Sequence, residues 1–180
     1  MSKFATFNDL DRFCQPLDET TILRSALART GKTVFLAHST KDERYLPGVI
    51  SVLENHGGRV YIDKADSRLP ESTNRETAET LRSTIKECPR FVLFVTTNSN
   101  DSKWVPWELG IADGEKGHKP VALFPAANRS DEKQWAQQEY LGLYRRIVWG
   151  RMKGWTEDGW FVLDHLQNTG TPLRQWLTGG

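Results

Sequence analysis

Cysteine is nearly missing from this chain: there are two, Cys14 and Cys88, in 180 residues. That excludes a disulfide framework and a cysteine-based metal set, and Cys88 is expected at a buried helix end. Histidine is scarce as well. His38, His56, His118 and His165 are scattered and match no zinc spacing. Neither sign of charge is in excess: 24 Lys and Arg face 23 Asp and Glu, a net charge of +1. The electrostatic argument for a nucleic-acid binder therefore fails. No apolar run is long enough to span a bilayer, and Met1-Ser2-Lys3-Phe4 lacks the apolar middle of a signal peptide. A soluble cytoplasmic protein is expected, with no nucleic-acid and no membrane partner. A phosphate-binding glycine loop is absent too. Thr30-Gly31-Lys32-Thr33 lacks the upstream glycine and precedes a strand, where such a loop should follow one. There is no Gly-x-Ser-x-Gly elbow, and no Cys–His pair of recognisable spacing.

Tryptophan, in contrast, is plentiful. Four of the seven, Trp149, Trp155, Trp160 and Trp176, lie in the last quarter, so that region should be packed. The length suits one domain with extensions. Residues 8–30 carry Leu10, Phe13, Leu17, Ile22, Leu23, Ala26 and Leu27 at helical spacing, broken at Pro16 and stopped at Gly31. Strands are expected at 33–37, 59–63, 90–95, 119–124 and 146–149. Helices are expected at 42–56, 75–87 and 104–117, with two more near 157–168 and 171–178. Strand and helix alternate, the signature of a doubly wound α/β sheet. The expected class is a flavodoxin-like three-layer sandwich with a five-stranded, mostly parallel sheet of order 2-1-3-4-5. Its expected division is a helical extension at 1–31, the domain at 32–150, and a packed helical extension at 151–180.

One segment stands out: Ser102-Lys103-Trp104-Val105-Pro106-Trp107-Glu108-Leu109-Gly110. It follows the strongest strand signal, Arg90-Phe91-Val92-Leu93-Phe94-Val95, after a polar linker at 96–101. Two readings of Glu108 stand. In the first it is a first-turn acid that satisfies the helix dipole, with the tryptophans as core. Alternatively, Trp104 and Glu108 share a helical face at i, i+4, the indole walling a pocket and the carboxylate pointing into it. Val105, Leu109 and Ala112 form a separate stripe for the sheet, which frees Glu108 to face a ligand.

Open parallel sheets bind ligands beyond the carboxyl ends of their strands, where strand order reverses. Here that crevice lies between the first and third strands. The first delivers His38, Ser39 and Asp42, the third Thr96, Asn98 and then Trp104 to Glu108, and the second Asp63 with the 64–74 loop. Ser39 and Asp42 are equally readable as a helix cap, His38 as a structural hydrogen-bonder and Asp63 as a strand end. One carboxylate cannot hydrolyse ordinary glycosides, which need a separate acid for the leaving group. It suffices where the leaving group departs already neutral, as nicotinamide does from NAD. The carboxylate then has only to orient ribose hydroxyls and stabilise oxocarbenium-like charge.

These segments resemble the TIR domains. Val34-Phe35-Leu36-Ala37-His38-Ser39-Thr40-Lys41-Asp42 looks like the family's opening box with its Ser-x-x-Asp. Ser102 to Leu109 looks like the Ser-x-Trp-x-x-x-Glu segment of its enzymatic members, and 64–74 stands in the place of the family's BB loop. The resemblance covers about residues 32–150. It implies NAD consumption, with NAD as substrate and no separate cofactor. It makes Glu108 the catalytic glutamate and Trp104 its companion, with His38, Ser39 and Lys41 in the pocket. Stand-alone bacterial members, such as those of Thoeris anti-phage systems, are most similar. For these the resemblance implies self-association, a phage-derived trigger and a separate effector reached through a nucleotide product, often a cyclic ADP-ribose isomer. The chain departs from the family pattern where His-Ser-Thr replaces an arginine-rich stretch after the first strand. Two other classes remain open, a non-enzymatic TIR scaffold and a nucleoside deoxyribosyltransferase-like enzyme.

Overall fold

The central strands are continuous apolar runs buried on both faces. In the computed structural model, which describes residues 2–14, 19–28, 30–62, 75–102 and 104–179, β2 (Val34–Ala37) is buried at every position. Its side chains alternate between two cores. Val34 and Leu36 join a cluster with Val49, Ile50 and Leu53 of α3 (Leu46–Asn55). Phe35 and Ala37 join another with Leu81 and Ile85 of α4 (Arg75–Glu87) and Val105, Leu109 and Ala112 of α5 (Trp104–Lys116). A parallel sheet covered on both faces produces this doubled core.

β2 pairs in parallel with β3 (Val60–Tyr61) on one side and β4 (Arg90–Val95) on the other. β4 pairs with β5 (Val121–Ala127), and β5 with β6 (Arg145–Gly150). The sequence order β3-β2-β4-β5-β6 is the expected 2-1-3-4-5. The sheet then continues. β6 pairs antiparallel with β7 (Gly159–Asp164), and β7 with β8 (Thr169–Pro172). β1 (Ala5–Thr6) pairs with the far end of β5, giving eight strands among the described residues.

Several expectations need correction. The helix placed near 157–168 is the hairpin β7–β8. The run Trp160-Phe161-Val162-Leu163 favours strand, and β6 offers it an edge; Asn168, at φ 50°, makes the turn. Only the last segment is helical, as α6 (Leu173–Thr178). The leading region holds α1 (Phe7–Cys14) and α2 (Glu19–Ala28), but β1 precedes them. A two-residue strand has no sequence signature. The helix expected from Asp42 starts at Leu46, after a 3₁₀ turn at Thr40–Tyr45. β5 runs through Pro125, which sits where β6 leaves that side of the strand and β1 takes over. A missing N–H costs least at such a gap.

Candidate active site

β2 and β4 are neighbours whose following helices, α3 and α5, cover opposite faces of the sheet, so the chain leaves the two strands in different directions, the topology that places a ligand crevice at their carboxyl ends. On the β2 side, His38 and Ser39 remain buried, 9% and 3% exposed. Ser39 caps the 3₁₀ turn, its Oγ accepting from the Lys41 N–H at 3.4 Å. The cap reading of Ser39 therefore holds, and the residue still lies at the strand exit.

Asp42 is fully buried. Its Oδ2 accepts from Thr96 Oγ1 at 2.8 Å and its Oδ1 from Asn98 Nδ2 at 2.6 Å. One carboxylate thus ties the exit of β2 to the exit of β4. Burial pushes its pKa above the ordinary carboxylate value, against the hydrogen bonds from Asn98 and Thr96 and the charges of His38 and Lys41. The segment expected as a polar linker is a 3₁₀ turn, Thr97–Asp101. A capping box holds it: Thr96 Oγ1 accepts from the Asn98 N–H at 3.0 Å, and the Thr96 N–H donates to Ser99 Oγ at 3.1 Å.

That turn delivers the chain to α5. Ser102 Oγ accepts from the Val105 N–H at 3.3 Å. Val105, Leu109 and Ala112 turn to the sheet, as the stripe predicted. Glu108 is 3% exposed. A carboxylate buried in the second turn of a helix is costly unless the surroundings use it. Trp104 and Trp107 meet edge-to-face, centroids 5.2 Å apart at 84°. Both are half-buried and packed against the core on the α4–α5 side.

The structure therefore gathers His38, Ser39, Asp42, Thr96 and Asn98 at the exits of β2 and β4, with Trp104 and Glu108 on the helix that follows. It does not bring Lys41 among the buried groups. Lys41 Nζ lies 2.7 Å from Asp101 Oδ2, with side chains 58% and 69% exposed. Asp63 and the 64–74 loop lie outside the described residues. The bridging roles of Thr96 and Asn98 were not assigned from sequence. Their signal was the Ser-x-x-Asp box followed, one strand pair later, by polar residues at the same sheet edge. Among the described residues, no group of three or more His, Cys, Asp or Glu converges on a metal position, and no helix is long and apolar enough to cross a membrane.

Comparison with known proteins returns the same region. The family model described as TIR domain matches residues 34–161. The chain is 34% identical over 146 residues to "Probable 3' cyclic ADP-D-ribose synthase ThsB'" of Bacillus cereus (strain MSX-D12). The match spans 80% of this chain and 74% of that protein.

Proposed function

The chain belongs to the TIR domain family, and on that premise we propose that it cleaves NAD at the nicotinamide–ribose bond to make an ADP-ribose-derived signal in antiviral defence. The observation that carries the proposal is the burial of Glu108, one turn after Trp104, on the helix that leaves the cleft beyond β4. The relative's printed name, a cyclic ADP-ribose synthase, supports the reaction class.

In this mechanism the bond between ribose C1′ and the pyridinium nitrogen breaks heterolytically. Its electron pair leaves with nicotinamide, which departs neutral and needs no acid. Glu108 stabilises the positive charge that develops on the ribose; its low-dielectric surroundings strengthen that interaction. Trp104 walls the site, and His38, Ser39 and Asp63 contact the substrate around it. An oxygen nucleophile then bonds to C1′ and loses its proton. Water gives linear ADP-ribose, and a hydroxyl of the adenosine ribose gives a cyclic product. NAD enters as substrate, and no separate cofactor takes part. The wider system follows the family: contacts between copies, a phage-derived trigger, an effector reached through the product, and a cytoplasmic location.

The test is nicotinamide release from NAD by wild-type protein and Glu108→Gln, with lysate of phage-infected cells as activator and mass spectrometry of the products. Loss of a charge-stabilising group is expected to lower the rate about 10²–10³-fold. Equal release by the two proteins would overturn the assignment. A mass equal to ADP-ribose less one water identifies cyclisation.

A further inference from the structure

A second concave region lies where β1, α1 and the C-terminal half of α3 meet β6 and β7. Two hollows, of about 390 and about 540 Å³, share Phe13, Trp149 and Trp160 as common lining. Both volumes fall within the range of small-molecule sites, about 300–1,000 Å³. Trp160 is the buried anchor. Phe13 meets it edge-on at 5.9 Å and Trp149 at 5.5 Å. Trp149 itself is 40% exposed, an indole left in water over an aromatic floor. It is held there by the backbone, Lys3 N–H donating to Trp149 O at 2.7 Å and Trp149 N–H to Lys3 O at 2.9 Å.

The charges around this floor are unevenly committed. The two carboxylates in the linings are both engaged. Asp9 accepts from Thr6 N–H at 3.0 Å and Thr6 Oγ1 at 2.7 Å, and Asp158 pairs with Arg151 at 3.1 Å. The two cations are not. Neither the Lys3 ammonium, at one hollow, nor the Arg12 guanidinium, at the other, makes an ion pair or hydrogen bond among the described residues. The free valence of the site is therefore positive and its floor is aromatic. On the α3 side, Ser51, Asn55 and His56 add polar groups. His56 Nδ1 faces Val52 O at 2.7 Å, which leaves Nε2 as the ring nitrogen available to a ligand.

We propose that this paired hollow is a binding site for a nucleoside phosphate, with the base stacked on Trp149 and the phosphate held by Arg12 or Lys3. Stacking on an exposed indole takes any base face, and a guanidinium suits a phosphate geometrically. The site is separate from the cleft at β2 and β4, and the inference does not rest on the activity proposed for that cleft.

The experiment is calorimetric titration of the full chain with AMP, adenosine and inorganic phosphate in turn. AMP is expected to bind, with adenosine and phosphate each weaker by about tenfold or more, since each keeps only one of the two contacts. Arg12→Glu and Trp149→Ala should each weaken AMP at least about tenfold, while Glu108→Gln leaves its affinity unchanged. Arg12 has no partner to lose among the described residues, so its variant tests the site without breaking a described contact. No AMP heat at millimolar concentration would overturn the proposal. So would AMP affinity that survives both Arg12→Glu and Trp149→Ala, because the binding would then lie elsewhere.

Discussion

The two ends of the sheet are built on opposite terms. At the β2–β4 end, His38, Ser39, Asp42, Thr96, Ser99 and Glu108 are all buried; the remaining buried polar side chains among the described residues, Thr77 and Thr84, lie on α4. At the β6–β8 end the buried side chains are Ile147, Val148, Trp160, Phe161 and Val162, with Leu173, Trp176 and Leu177 of α6 behind them. Burying apolar area stabilises at roughly 25 cal/mol per Å². Burying a polar group costs energy unless each donor and acceptor is met. The hairpin end therefore holds the fold together, and the cleft end is the part whose design needs another explanation. Concentrated buried polarity at a topological switch point is what a preformed reaction site requires.

The comparison breaks most sharply at Trp160. This ring touches Phe13, Phe124 and Trp149, and Trp160→Ala should destabilise by about 3–5 kcal/mol. Urea denaturation checks the figure. Nicotinamide release per folded molecule should stay within about twofold of wild type, because the residue lies at the sheet end away from Glu108 and affects that reaction through stability. A fall in specific activity at full folding would join the two ends that the burial pattern separates. At the cleft end the expected partition is reversed. Asp42→Ala leaves the buried Thr96 Oγ1 and the half-buried Asn98 Nδ2 without their acceptor, worth roughly 1–3 kcal/mol. The β2 and β4 exits also lose their tie, so kcat should fall beyond what the unfolded fraction explains. Comparing kcat with the folded fraction at each urea concentration decides it.

How much of this was legible follows the same division. The apolar runs of β2, β4 and β5 announced themselves, because strands covered on both faces have no polar positions to confuse the pattern. The α5 stripe was equally plain, since Val105, Leu109 and Ala112 keep helical spacing. The hairpin was misread. Six residues of β7, Gly159-Trp160-Phe161-Val162-Leu163-Asp164, are too short for period 2 and period 3.6 to be told apart. What settles them is the open edge of β6, a property of the assembled sheet. The site was legible as a list of types at strand ends, but not as a bonding pattern. Asp42 read as a cap candidate, and nothing local shows that Thr96 and Asn98, more than fifty positions away, supply its donors. Lys41, one residue from Asp42, read as a pocket residue; in the structure its ammonium lies against Asp101 at the surface, a pairing that spacing on an irregular turn does not announce.

A smaller effect tests whether buried ionisable groups away from the cleft behave as plain packing. Cys88 follows α4 and is 1% exposed. Burial pushes its thiol from 9.0 up to about 11, with Lys116 and Lys32 opposing and Glu87 assisting. Because the folded value is raised, the contribution to stability is complete below the ordinary thiol range and is lost as pH climbs from 9.0 toward about 11. Two units correspond to roughly 2–3 kcal/mol. Tyr144, raised to about 12 by burial first and Asp113 second, adds a later alkaline loss. The urea midpoint should fall between pH 9 and 11, and Cys88→Ala should flatten that part of the curve while leaving Tyr144's part. An unchanged slope in the variant would assign the loss to other groups.

The smallest effect separates two links between the same turns. Asp42 and Lys41 both connect the segment after β2 to the segment after β4, one in the interior and one on the surface. The Lys41–Asp101 pair is more than half exposed on both sides, so water and salt screen it and its worth is about 0.2–1 kcal/mol. Lys41→Ala should shift the urea midpoint only slightly, and less still at high salt. Its kinetics carry more information than its stability. If Lys41 spends its charge on Asp101, the KM for NAD should stay within about twofold. A rise of tenfold, about 1.4 kcal/mol, would mean that the ammonium leaves Asp101 for a substrate phosphate. Asp101→Ala distinguishes the two cases further. It frees the lysine, so KM should fall if Lys41 can reach the substrate and stay unchanged if the turn aims it away.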